Sequence, residues 1–233
     1  MSGAWIITGC STGIGRAIAE TAVAAGHPVA VTARDPASVA DIVARAPDRA
    51  VALALDVADQ DSVDAAIAET RRRLGPIGVL VNNAGYGYVS SIEEGDEAEV
   101  RAMFEVNFWG ALRMIQAVLP DMRAAHVGRI ISITSLAGRL ANPATGFYTA
   151  SKYALEGLSE TLSREVEALG IRVTAIAPGM FRSDFSGRSL KAESGRIGDY
   201  AHSAHARIEL VKSADGRQQG DPAGRQQAEH QFP

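Results

Sequence analysis

Tyr148 and Lys152 stand four residues apart in the run Tyr148-Thr149-Ala150-Ser151-Lys152. On a helix that spacing puts a phenol and an ammonium on one face. A phenol with a pKa near ~10 is a poor base at neutral pH. A neighbouring cation favours its anion, so the pair reads as a proton-transfer group with Tyr148 as general acid/base. Ser135 follows the apolar run 129–134, and its hydroxyl suits donation to a carbonyl oxygen on which negative charge develops. A Tyr/Lys pair alone is more often an exposed helix pair, so its company in the chain decides its meaning.

That company begins with Thr8-Gly9-Cys10-Ser11-Thr12-Gly13-Ile14-Gly15, which joins a first strand pattern to a first helix pattern. A glycine-rich turn lets backbone approach a pyrophosphate, and the N–H groups at a helix start favour an anion. Gly9, Ser11, Thr12, Gly13, Ile14 and Gly15 are therefore candidate contacts of a dinucleotide. The spacing is G-x-x-x-G-x-G rather than G-x-G-x-x-G, and a plain tight turn is the alternative. The second strand pattern ends in Ala33-Arg34-Asp35. An acidic side chain at that end holds ribose hydroxyls in NAD sites, whereas a 2′-phosphate wants a cation. Ala33 at the acidic position with Arg34 beside it reads as NADP(H) over NAD(H). The alternative is that Arg34 is a surface side chain. Asp35 before Pro36 reads as a helix cap.

The elements that must position these groups follow from apolar patterning. Runs at 4–8, 28–33, 51–55, 79–81, 129–134 and 171–177 are rich in Val and Ile and apolar on successive residues, as strands buried on both faces are. Helical patterns occupy 14–25, 38–46, 62–73, 97–124 and 147–169. In the last, Leu155, Leu158, Leu162, Val166 and Leu169 recur at spacings of three and four. The alternation predicts an α/β fold, a Rossmann-like doubly wound parallel sheet in a single domain. Residues 1–185 form the expected dinucleotide-binding catalytic core, 186–212 a substrate-covering segment with a weak helical pattern near 200–211, and 213–233 a disordered tail.

The glycine loop, Asn82-Asn83-Ala84-Gly85, Asn107, Ser135, Tyr148-(x)3-Lys152 and Pro178-Gly179 come in an order and spacing that resemble the short-chain dehydrogenase/reductase family over about residues 4–185. The resemblance implies hydride transfer between a nicotinamide cofactor and a carbonyl or alcohol substrate. It implies that Asn107 completes an Asn–Ser–Tyr–Lys set by holding a water that links Lys152 to solvent, and that Lys152 also holds the nicotinamide ribose. It further implies that Asp56, followed by Val57, meets the adenine amino group. Asn83, Ala84 and Gly85 would pack on the cofactor, Pro178 and Gly179 would border the nicotinamide, and Ser183 would lie near its amide or the phosphates. Arg34 matches the family's NADP-preferring pattern. Within the family, the runs 83–87 and 178–185 look like bacterial relatives of hydroxysteroid and retinol dehydrogenases. A homodimer or homotetramer is expected, because helices matching 97–124 and 147–169 often build such an interface.

The chain departs from the family after Gly220-Asp221-Pro222-Ala223, where a helix and a seventh strand are expected and no strand pattern is found. A frameshift or truncation is the expected origin. A cofactor-binding regulator, or an impaired truncated relative, is accordingly the alternative to an active enzyme. The net charge of −4 comes without a basic stripe, which argues against nucleic acid, and the run Arg71-Arg72-Arg73 reads as a solvated helix end. No apolar stretch approaches the ~20 residues that cross a bilayer. No signal peptide pattern opens the chain, and the single cysteine, Cys10, fits a reducing, cytoplasmic location. Cys10 reads as a small loop residue. His27, His126, His202, His205 and His230 form no metal-binding spacing, so no metal is expected.

Overall fold

The computed structural model describes residues 3–179, 190–193 and 195–213. Among them are strands β1 (Ala4–Ile7), β2 (Val29–Ala33), β3 (Ala50–Ala54), β4 (Ile77–Asn82), β5 (Gly87–Val89), β6 (Gly128–Ile133), β7 (Ile171–Ile176) and β8 (Leu190–Ala192). The helices are α1 (Gly13–Ala24), α2 (Ala40–Val43), α3 (Gln60–Leu74), α4 (Glu97–Phe104), α5 (Ala111–Ala125), α6 (Gly146–Val166) and α7 (Ala206–Ser213). Six strands make one sheet in the order β3-β2-β1-β4-β6-β7, and every pairing in it is parallel.

Continuous apolar strands arise because successive side chains enter opposite cores. Ile6, Leu80 and Ile130 pack with Ile67 of α3, Ile115 of α5 and Leu162 of α6. Their chain neighbours Ile7 and Val81, with Ile133 further along β6, pack with Ala19 and Val23 of α1 and Ile42 of α2. Helices therefore cover both faces of the sheet, a Rossmann-like α/β fold. With all strands parallel, their carboxyl ends open on one edge. The chain leaves β1 toward β2 on one side and reaches β4 on the other, and a crevice forms at that switch.

Three local details depart from the sequence expectation. The helix expected over 38–46 is a 3-10 turn, Pro36–Val39, followed by the single turn of α2. Asp35 caps it, its Oδ1 accepting the Ala37 N–H at 3.0 Å. The helix expected over 97–124 is interrupted by a π turn, Glu105–Gly110, a widening often found at functional sites. The third is a small parallel ladder between β5 and β8, which ties residues 190–192 to the strand after β4. Three-residue strands carry too little periodicity to be read. The expected disorder and absent strand after residue 213 lie outside the described residues. Arg71 ends α3 as an inter-helix tie, its Nε donating to Asp121 of α5 at 2.8 Å, and Arg72 pairs with Glu69 on the helix surface. No helix among the described residues is long and apolar enough to cross a membrane.

Candidate active site

Each strand end on the open edge delivers residues to one cavity of about 790 Å³. Its wall includes Gly9, Ser11, Thr12, Gly13 and Ile14 after β1, Arg34 after β2, Asp56 and Val57 after β3, and Asn83 and Gly85 after β4. Ser135 after β6, Tyr148 and Lys152 of α6, and Pro178 and Gly179 after β7 complete the set foreseen from sequence. Gly15, Ala84 and Asn107 stand behind the wall, and Ser183 lies outside the described residues.

The glycine loop is stapled from beneath by β4. Asn83 Nδ2 donates to the Thr8 and Gly9 carbonyls at 2.9 and 3.0 Å, and the Asn83 and Ala84 N–H groups donate to Thr8 Oγ1, both at 2.9 Å. Gly9 adopts φ +71°, open to glycine at no steric cost. A Cβ on Gly15 would lie 2.2 Å from Asn83 Nδ2 and 2.4 Å from the Gly9 carbonyl oxygen. Gly15→Ala is therefore expected to push the loop off its staple, lowering stability by about 1–3 kcal/mol and weakening dinucleotide binding. Denaturant titration and cofactor titration check this; parental values in both would contradict it.

The start of α1 suits an anion. Thr12 makes no side-chain cap, and the first turn carries no acidic residue, so the helix N–H groups face the cavity without a protein counter-charge. Arg34, exposed at the rim, makes no hydrogen bond or ion pair with a described residue. Asp56 Oδ1 accepts the Ala58 N–H at 3.0 Å, and the Asp56 N–H donates to Ser62 Oγ at 2.9 Å, which fixes the turn after β3. A nicotinamide dinucleotide fits this chemistry, with bare N–H groups for its pyrophosphate and the exposed Arg34 guanidinium at the rim. Cys10 is buried behind the loop, and burial pushes its thiol up to about 12, so it is an inert packing residue.

Tyr148 is held by packing against Tyr88 and Met103. The turn before it is unusual: Ala144 is buried at φ +65°, a strained backbone for a residue with a Cβ, and its carbonyl accepts the Ser90 N–H at 3.0 Å. Thr145 and Thr149 hydroxyls meet at 3.1 Å across the first turn of α6. Lys152 is buried as well; its Nζ donates to the Ile133 carbonyl at 3.0 Å and lies 5.8 Å from the Tyr148 ring centroid.

The electrostatics correct one expectation. The spacing predicts that Lys152 lowers the Tyr148 pKa, but burial dominates both groups. The Tyr148 phenol is pushed up to about 12, burial outweighing the lowering effect of its hydrogen bond with Ser135. The Lys152 ammonium is pulled down to about 8 by the same loss of water. Between about pH 8 and 10, an unfolded chain with an ordinary lysine binds more protons than the folded one. Stability contributed by this residue therefore rises with pH across that window, and Tyr148 acts in the opposite sense only above about pH 10. In Lys152→Met that rise is expected to vanish, as urea unfolding of both proteins across the window will read. Equal slopes would contradict it.

Asn107, carried by the π turn, has its carboxamide fully engaged. Oδ1 accepts the Tyr86 N–H at 3.0 Å, while Nδ2 donates to the Tyr86 carbonyl at 2.9 Å and to Ser151 Oγ at 3.2 Å. The side chain fixes the connection from β4 to β5 against α6, beside Lys152.

Residues 4–194 match the family model described as short chain dehydrogenase. The chain belongs to the short-chain dehydrogenase/reductase family. It is therefore an oxidoreductase of that family, whose members use nicotinamide cofactors on small molecules. It is 36% identical over 211 residues to a 3-ketodihydrosphingosine reductase of Bacteroides thetaiotaomicron, covering 90% of this chain and 76% of that protein. Its fold is similar to a short-chain dehydrogenase from Streptomyces avermitilis, with a TM-score of 0.87 and 41% identity over 96% of this chain and 80% of that one. A gluconate 5-dehydrogenase from Burkholderia cenocepacia, solved with NADP and tartrate, gives a TM-score of 0.75 and 31% identity over 80% of this chain and 74% of that one.

Sequence reasoning missed the clamp beneath the covering segment. The Glu94 carboxylate is buried, with Oε1 accepting the Arg196 and Ile197 N–H groups at 2.5 and 2.7 Å. Its Oε2 accepts Ser91 Oγ–H at 2.5 Å and lies 2.8 Å from His205 Nε2. These bonds, led by the one from Ser91, hold the carboxyl down to about 2. His205, set aside in the sequence, is thus a structural partner of Glu94. Nothing local in the sequence joins residues so far apart.

Proposed function

We propose that the protein is an NADP(H)-dependent carbonyl reductase or alcohol dehydrogenase that works with Tyr148 as general acid/base. The observation that carries this is one cavity holding a buried phenol, a buried ammonium, a serine hydroxyl and an uncapped helix start. The residues for the cofactor are Gly9, Ser11, Thr12, Gly13 and Ile14 at the pyrophosphate, Asp56 and Val57 toward the adenine, and Asn83, Gly85, Pro178 and Gly179 along the nicotinamide half. When bound, the cofactor supplies the hydride.

The chain's own residues supply the rest. Ser135 donates a hydrogen bond to the substrate carbonyl oxygen and holds it against Tyr148. The Tyr148 phenol, protonated throughout the neutral range, gives its proton to that oxygen as charge grows there. The Lys152 ammonium, fixed by the Ile133 carbonyl, lies close enough to favour the phenolate left behind. Solvent then returns the proton. Asn107 acts by holding the Tyr86 turn beside Lys152 rather than by touching substrate. Arg34 supports NADP over NAD, since Ala33 stands where a ribose-binding acid would and the guanidinium makes no hydrogen bond or ion pair with a described residue. The solved relative that holds NADP is in keeping with this. Exposed Trp109 and Tyr153, beside and on α6, support self-association as a homodimer or homotetramer.

The test is a panel of ketones, aldehydes and oxo acids followed by absorbance with NADPH and NADH in parallel. NADPH-dependent consumption with at least one carbonyl is the expected result. Cofactor binding without turnover across the panel would instead favour a cofactor-binding regulator.

A further inference from the structure

The charged groups lining the cavity are nearly all spent on protein partners. Lys191 pairs with Glu99 at 2.6 Å, Glu105 pairs with Arg113, Lys152 serves the Ile133 carbonyl and Asp56 caps its own turn. Two guanidiniums are left over, Arg34 and Arg207. Arg34 belongs to the cofactor. Arg207 does not: it lies on α7, whose Ile208, with Ala204 in the turn before it, packs on Val89 and on Ala144, four residues before Tyr148. Its Nε is buried and has no hydrogen-bond partner. The nearby carboxylate of Glu94 is already saturated by four bonds. A buried guanidinium N–H without an acceptor is costly, and in a pocket wall it calls for an acceptor from outside the chain. The same cavity wall carries Val89, Leu136, Leu140, Leu190 and Val211, with Asn142 and Thr145 as uncharged polar members.

We propose that Arg207 determines specificity by receiving the anionic group of the substrate, so that the preferred substrates are carbonyl compounds with an apolar body and a carboxylate. This rests on the oxidoreductase reading above but is read separately from it. A charge-assisted pair of this kind favours the acid over a neutral isostere by about 10- to 100-fold.

The experiment has two arms. In the first, kcat/KM is measured with NADPH for aliphatic and aromatic oxo acids and their methyl esters, in the parent, Arg207→Gln and Arg207→Lys. The acid-to-ester ratio is expected to exceed about tenfold in the parent, to collapse in Arg207→Gln and to return in part in Arg207→Lys. In the second, calorimetry compares octanoate with octanamide as ligands of the cofactor-loaded parent and Arg207→Gln. Octanoate is expected to bind more tightly to the parent only, and a retained rise in Tm with NADPH certifies that the variant is folded. Equal binding of the two probes by the parent, or a preference that survives Arg207→Gln, overturns the proposal even if neutral ketones are reduced. Arg207-dependent octanoate binding without turnover of any oxo acid or ester supports Arg207 as the carboxylate site but counts against the carbonyl-reductase reading on which the substrate assignment rests.

Discussion

Tyr148→Phe is expected to bind NADPH as the parent does while reducing carbonyl compounds about 10²- to 10⁴-fold more slowly. The separation follows from where the ring and the hydroxyl sit. The ring is fixed by Tyr88 and Met103, and phenylalanine keeps that packing. In the proposed cofactor site, recognition is assigned to the loop after β1 and the ends of β2, β3 and β4, which the substitution does not touch. What is lost is the proton that must reach the carbonyl oxygen, and Ser135 alone cannot supply it at neutral pH. The loss also removes a buried hydroxyl whose hydrogen bond with Ser135 lowers its pKa against the effect of burial. Fluorescence titration with NADPH and single-turnover kinetics read the two effects apart. Turnover within a few-fold of the parent would show that the proton comes from elsewhere.

The second large effect is expected at the other end of the cofactor. Arg34→Ala should lower kcat/KM for NADPH by about 10- to 100-fold, the worth of a charge-assisted hydrogen-bond pair to a phosphate. NADH should be almost unaffected, because Arg34 is exposed and makes no hydrogen bond or ion pair with a described residue. Its neighbour Ala33 is buried in the sheet core and offers no carboxylate to rescue ribose binding. Arg34→Ala is therefore expected to lose selectivity rather than to become an NADH enzyme. Arg34→Ala combined with Ala33→Asp should begin to invert it, within the limit set by placing a carboxylate at a buried position. Parallel rate measurements with both cofactors check this; an unchanged NADPH preference in Arg34→Ala would assign the phosphate to another group.

Local features of the site were legible in the chain and long-range ones were not. A glycine loop between strand and helix, a serine after a strand and a Tyr/Lys pair one turn apart are each set by nearest neighbours and backbone period. The doubly wound sheet was legible for the same reason, since strands buried on both faces lose their alternation. The staple from Thr8 to Asn83 and the Glu94 clamp on Arg196, Ile197 and His205 join residues that only the folded sheet brings together. Polar partners at such separations leave no periodic trace. The electrostatic misreading of Tyr148 has the same origin. Spacing shows a cation beside a phenol, but the cost of burial depends on Tyr88, Met103 and the rest of a pocket that the sequence does not display. Asn107 was legible as a position, while the π turn that carries it, between α4 and α5, leaves no mark in the apolar spacing of the sequence.

The central claim is hydride transfer from a nicotinamide cofactor in this cavity, completed by a proton from Tyr148. It is tested most directly with NADPH deuterated on one face of the nicotinamide C4 and any carbonyl compound the protein reduces. The account predicts that the product alcohol carries the deuterium on its carbinol carbon, from one cofactor face only, and that Tyr148→Phe loaded with the same cofactor yields almost none. Cofactor consumption that leaves the product free of deuterium from either face, or labelled product formed as fast by Tyr148→Phe, would contradict it.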